Sequence, residues 1–184
     1  MFIGCQFSIY PMTDNYTDVI INALKEIKPY QVKTSTDDVS TTVIGNIDNV
    51  FNYISNVYTK CLEVFDGHIA MSTIFSIGCP GEEDDKLCHP SQECQEINIK
   101  TKFDTAAQFA IMPLKNTEYM DKIYKIINKL KSSNLNYKHK HFCSYLRGDF
   151  IEVIKFIKES FYSVAEDTNH VVMTANFSNR SPSH

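Results

Sequence analysis

Cys79, Cys88, His89 and Cys94 are residue types that hold a soft divalent metal through thiolate and imidazole. Their spacing matches no standard zinc module. They sit in or beside residues 81–105, GEEDDKLCHPSQECQEINIKTKFDT, an acidic, aperiodic stretch that reads as a linker. No metal is expected. His139 and His141 would place two imidazoles on one face of a strand, but Lys138 and Lys140 make a solvated basic hairpin the better reading. His68 and His170 each begin the fourth strand of their copy. Neither has a nucleophile or acid beside it in sequence, so each reads as a structural hydrogen-bonding group rather than a catalyst. The nucleotide-loop, dinucleotide, zincin, nucleophile-elbow and C-x-x-C patterns are all missing from the sequence.

Two hydroxyls stand apart. Val39-Ser40-Thr41-Thr42-Val43 reads as strand, with Val39 and Val43 turned to the core and Thr41 between them. Phe142-Cys143-Ser144-Tyr145-Leu146 puts Ser144 at the matching place. A buried hydroxyl needs a hydrogen-bond partner. Two answers fit: a bond to backbone beneath a packed helix, or a small polar ligand held between sheet and helices.

The elements that would position these residues repeat. Gln6, Phe7, Ile9 and Pro11 recur at Gln108, Phe109, Ile111 and Pro113, and His68, Met71, Phe75, Ser76 and Pro80 recur at His170, Met173, Phe177, Ser178 and Pro182. Every pair is offset by 102, while Gly45 and Gly148 are offset by 103. So long a period is not a solenoid unit; each copy is a small domain. Each reads β-α-β-β-α-β. In the first copy a strand runs around Gln6–Pro11, then a helix capped by Asp14 and ended by Pro29, with Val19, Ile20, Ala23, Leu24 and Ile27 inward. Strands at 31–36 and 39–44 follow around the Asp37-Asp38 turn. Asp48 caps a second helix carrying Val50, Phe51, Ile54, Val57, Tyr58, Cys61 and Leu62. The second copy's helices show Tyr119, Met120, Ile123, Ile127 and Leu130, then Phe150, Val153, Ile154, Ile157, Phe161 and Val164. The expected class is α+β: two tandem ferredoxin-like repeats, antiparallel sheets with helices on one face. The first repeat spans 1–80, the linker 81–105 and the second repeat 106–184. The other sheet face carries a small polar set (His68, Ala70, Ser72 and Ser76, with His170, Thr174, Asn176 and Ser178), read as a sheet-against-sheet contact between copies or between subunits.

Composition agrees with a folded chain. Of 184 residues, 43% are hydrophobic and 12 are Phe. A net charge of −4 without an aromatic-interleaved basic stripe argues against nucleic acid. The apolar runs are too short to insert in a membrane. The start, MFIGCQFSIY, lacks a secretory pattern, so the cytoplasm is expected and the six cysteines are expected as thiols.

FSIYPMTDNYTDVI, TSTDDVSTTVIGNIDNVF and HIAMSTIFSIGCPG, with QFAIMPL and NHVVMTANFSNRSP in the second copy, resemble the YkoF-type thiamine/hydroxymethylpyrimidine-binding family. The resemblance implies a cytoplasmic homodimer that binds thiamine or its pyrimidine precursor without catalysis or cofactor. It implies a role in uptake or salvage and leaves a transporter as a further partner. It places the ligand at Ile9 and Thr41, and in the second copy at Ile111 and Ser144. An aminopyrimidine offers donor and acceptor groups that a Thr hydroxyl and backbone can meet. Asp37 or Asp38, or Tyr10 over its face, would stabilise a thiazolium cation. The second copy has Met112 for Tyr10 and a basic hairpin for the acidic turn, so its site should be weaker or select the neutral pyrimidine. A ligand-responsive scaffold and an enzyme of thiamine metabolism are the competing readings.

Overall fold

The computed structural model describes residues 1–27, 31–78, 102–114 and 118–183. Pro29, Cys79, Pro80, Cys88, His89 and Cys94 lie outside the described residues, and so does most of the expected linker.

Each repeat follows the expected order. The first contains β1 (Phe2–Pro11), α1 (Tyr16–Lys25), β2 (Val32–Thr36), β3 (Thr41–Asn46), α2 (Ile47–Val64) and β4 (Ile69–Ile77). The second contains β5 (Asp104–Pro113), α3 (Tyr119–Lys131), β6 (Asn136–His139), β7 (Ser144–Asp149), α4 (Phe150–Ala165) and β8 (Val171–Asn179). β5 thus begins within the residues assigned to the linker.

The strands alternate. Ile3, Cys5 and Phe7 are buried in β1, as are Ile69, Met71 and Phe75 in β4 and Val171, Met173 and Phe177 in β8. Their neighbours point the other way, as a pleated strand requires. All four helices therefore cover one face. The core lies beneath α2 and α4, where the Phe51 and Phe75 rings stack at 4.3 Å. α2 and α4 start on the side chains of Asn46 and Asp149, whose carbonyl and carboxylate oxygens accept from Asp48 N (3.0 Å) and Ile151 N (3.1 Å). Asp48, the expected cap, sits instead in the first turn of α2.

The repeats do not stack face to face. They join edge to edge through β4 and β8 into one eight-stranded antiparallel sheet, ordered β2-β3-β1-β4-β8-β5-β7-β6. Thr73 pairs with Ala175 there, and these are equivalent positions at the repeat offset of 102. A pseudo-two-fold axis therefore passes between them, and the Thr73 hydroxyl donates across it to Ala175 O (2.8 Å). This overturns the expected sheet-against-sheet contact between copies. The polar face of both repeats remains as one continuous open surface.

One buried polar network breaks the symmetry. Asn179 donates to Asp104 O (2.9 Å) and Thr105 Oγ1 (2.9 Å), and its Oδ1 accepts from the Tyr58 hydroxyl (2.7 Å). The corresponding positions across the axis are Ile77, Ile3 and Phe161, all apolar. The network ties α2 of the first repeat to β5 and β8 of the second. The equivalent positions at the two ends of the seam also differ. Gly78, at φ 75°, abuts Asn169, and a Cβ on it would lie 1.8 Å from the Asn169 carbonyl oxygen. At the equivalent of Gly78 stands Arg180, which donates to the last carbonyls of α2, Leu62 O (3.3 Å) and Phe65 O (2.8 Å).

Candidate functional site: two equivalent patches on the helix side of the sheet

In the first repeat β1 and β3 run side by side, with Phe7 opposite Thr41. Ile9 is two residues along the same face, so Ile9 and Thr41 are diagonal neighbours beneath the helices. Both are partly buried. Thr41 lies opposite Thr36 on β2, and their hydroxyls are 3.0 Å apart. A hydroxyl donates once and accepts twice, so this bond leaves Thr41 capacity for another partner.

α2 contributes a residue that the sequence reading left out. The Tyr53 ring meets Phe7 edge-on at 6.4 Å. Partial burial raises its phenol above the ordinary value, so the hydroxyl stays protonated. Phe7, Ile9, Thr41 and Tyr53 thus form a small apolar patch with two hydroxyls. Tyr53 sits one position off the apolar stripe of α2, and the period gave no reason to single it out.

The second repeat builds the same patch. Ser144 pairs with Phe109, Ile111 follows on the same face, and Phe156 meets Phe109 edge-on at 6.1 Å. Three replacements distinguish it. Phe156 stands for Tyr53 and removes a hydroxyl. His139, opposite Ser144, stands for Thr36. Lys122 stands for Val19 on the outer helix, where it lies with Ile126 and Leu130 on the buried stripe of α3. Of the expected stripe of α3, Leu130 is buried and Ile123 and Ile127 are partly buried, but Tyr119 and Met120 are exposed, and Lys122 and Ile126 take the inner positions instead.

Other expected site residues fall elsewhere. Tyr10 follows Ile9 in one strand and so points to the opposite, open face, where it is 48% exposed. Hydrogen bonds with the Ser72 and Ser8 hydroxyls lower its phenol from the ordinary value. It cannot cover a ring held beneath the helices. Val39 and Phe142, expected in strands, are at hairpin tips and 83% and 91% exposed. Asp38 is exposed in the first hairpin. Its neighbour Asp37 shapes the turn by accepting from Val39 N (2.8 Å) and Ser40 N (2.9 Å), which lowers its carboxyl below the usual range. Lys138 and Lys140 lie over the Tyr145 ring, 5.8 and 5.6 Å from its centroid. Tyr145 is on the open face, so these ammonium groups are not part of the second patch.

Among the described residues no group of three or more His, Cys, Asp or Glu side chains is placed to hold a metal. Two clefts lie away from both patches. One, of about 490 Å³, is lined by Lys102, Asp104, Arg147 and Arg180 among others, and Arg147 is committed there to Asp104 (2.7 Å). The other, of about 440 Å³, contains the Lys158–Asp48 (2.8 Å) and Lys129–Glu159 (2.5 Å) pairs.

A family model described as the YKOF-related family matches residues 2–82 and, a second time, 104–184. The chain belongs to that family. A Bacillus subtilis relative named "Putative HMP/thiamine-binding protein YkoF" is 35% identical over 183 residues, 98% of this chain and 91% of the relative. Among solved structures, a Thermotoga maritima protein titled a "putative thiamine biosynthesis/salvage protein" is 16% identical. It covers 40% of this chain and 81% of its own, with a TM-score of 0.37. A Streptococcus pneumoniae protein is 17% identical over 40% of this chain and 83% of its own, with a TM-score of 0.38. The two segments matched by the YKOF-related family carry the two patches.

Proposed function

We propose that each repeat binds thiamine or its hydroxymethylpyrimidine precursor between the sheet and the outer helix, in the service of thiamine uptake or salvage. The observation that carries this reading is the 35% identity to a relative named for that binding, spread over nearly the full length of both chains. The patches supply compatible chemistry. Aromatic and aliphatic side chains form an apolar surface, and a few hydroxyls would fix orientation, as in most small-molecule sites. In the first repeat Thr41 and Tyr53 offer donors and acceptors to the ring nitrogens and exocyclic amine of an aminopyrimidine. Asp38 stands outside, on the hairpin leading into Thr41, where a thiazolium would emerge.

The protein acts by binding alone, in the cytoplasm, as a homodimer joined through its open sheet faces. Calorimetric titration with thiamine and with hydroxymethylpyrimidine tests the reading. Saturable binding that is weakened on the order of tenfold by Thr41→Val supports it, the size following from loss of one buried hydrogen bond. Absence of heat and of thermal shift with both compounds sinks it. Turnover of either compound overturns the non-enzymatic part.

A further inference from the structure

We infer that the two repeats differ in charge preference: the second takes an anionic, phosphate-bearing pyrimidine, and Lys122 is the residue that meets the phosphate. This rests on the pyrimidine-site reading and revises the expectation that the second site prefers a neutral ring.

Two replacements on the helix side of the sheet point the same way. The first repeat has Val19 and Thr36 beside its patch, both uncharged; the second has Lys122 and His139 in their places. Lys122 is only 9% exposed, although lysine seldom accepts burial without a compensating charge. Its position on the Ile126–Leu130 stripe directs it into the layer between α3 and the sheet. Its partner is Asp167, in the turn from α4 to β8. That turn leads to Val171, which pairs with Pro113, two residues beyond Ile111. The turn that carries Asp167 therefore leads to the end of the sheet where β5 finishes, on the β8 side of β5. The two partners differ in setting. Asp167 has a 67% exposed side chain, while that of Lys122 is 10% exposed. A carboxylate in water is easily exchanged for a ligand phosphate; the sheltered ammonium keeps most of its field for whatever enters. His139, opposite Ser144, adds a second group able to donate to an anion.

The test is calorimetric titration of the full chain carrying Thr41→Val, so that the second repeat dominates the signal. The probes are hydroxymethylpyrimidine and its monophosphate. The monophosphate should bind about tenfold tighter or more, and the preference should shrink as salt is raised. Lys122→Val should bring the two compounds within about twofold, and Asp167→Asn should widen the preference by freeing the ammonium. Lys122→Met, closer in length, replaces the valine variant if that one fails to fold. Equal affinity for both probes with Lys122 present, or a preference unchanged in both Lys122 variants, overturns the inference while leaving the pyrimidine site standing. Binding of neither probe, at either repeat of the unmodified chain, overturns the underlying reading instead.

Discussion

Ile9 and Tyr10 are adjacent in the chain and on opposite sides of the sheet. That separation determines which residues can share a ligand. That Thr41 and Ser144 face the helices on a strand beside the first strand of their copy was read from alternation and the repeat; the register puts them opposite Phe7 and Phe109. Tyr10 should have been excluded by the same alternation. Tyr53 was hidden for another reason: a half-buried residue at the margin of a helical stripe looks no different in sequence from a solvent-facing one. Tyr53→Phe copies the second repeat and should weaken first-repeat binding by about three- to tenfold through loss of one hydrogen bond, with melting temperature nearly unchanged. Unaltered affinity would remove Tyr53 from the site. Asp37 gives a pH effect. Its folded pKa lies below the ordinary carboxyl value, so its contribution to the turn is fully present above the unfolded pKa. It is lost as pH falls through the lower, folded value. Amide exchange at Val39 and Ser40 should therefore accelerate in acid beyond the intrinsic trend. Asp37→Asn should lessen that extra pH dependence.

At the scale of elements, the two β-α-β-β-α-β units and the inward stripes of α2 and α4 were readable because long helices with large apolar residues leave little choice of face. α3 was read correctly at Leu130, but its buried Lys122 and Ile126 were missed. Its sequence offers Ile123 and Ile127 as readily as Ile126, and a lysine is assumed to face water until a partner such as Asp167 appears from a distant loop. Long-range partners of this kind carry no local signal. The Asn179 network is another example. It joins residues from three strands or helices far apart in sequence, and its members look unremarkable alone. Asn179→Leu should cost about 2–4 kcal/mol in thermal or denaturant unfolding, because it leaves the Tyr58 hydroxyl and Asp104 carbonyl with fewer partners. Gly78→Ala should be worse than an ordinary surface change by roughly 3 kcal/mol or more, since φ 75° and the Asn169 carbonyl both oppose a side chain. A variant as stable as the parent would mean the turn can move aside.

Over the whole molecule, the count of repeats and their class were legible, but their joining was not. A polar sheet face and an unpaired strand edge are both unfinished surfaces, and hydropathy reports only the first. β4 reads the same whether its outer edge meets water or β8. A fragment of residues 1–78 would expose that edge along its full length, a template for pairing with another strand. It should elute as a dimer, β4 on β4 in the register now used with β8, or aggregate. A stable monomeric fragment would show that the β4 edge protects itself.

The axis between Thr73 and Ala175 has a last consequence. In a true symmetric dimer one gene writes both sides, so every substitution arrives in duplicate and a hydroxyl at the axis must face its own twin. Here the halves are spelled out separately. A threonine can answer an alanine, a glycine can leave room where its counterpart is an arginine, and a lysine can enter one pocket while the other keeps its valine. Continuity of the chain frees each half to inherit its own changes.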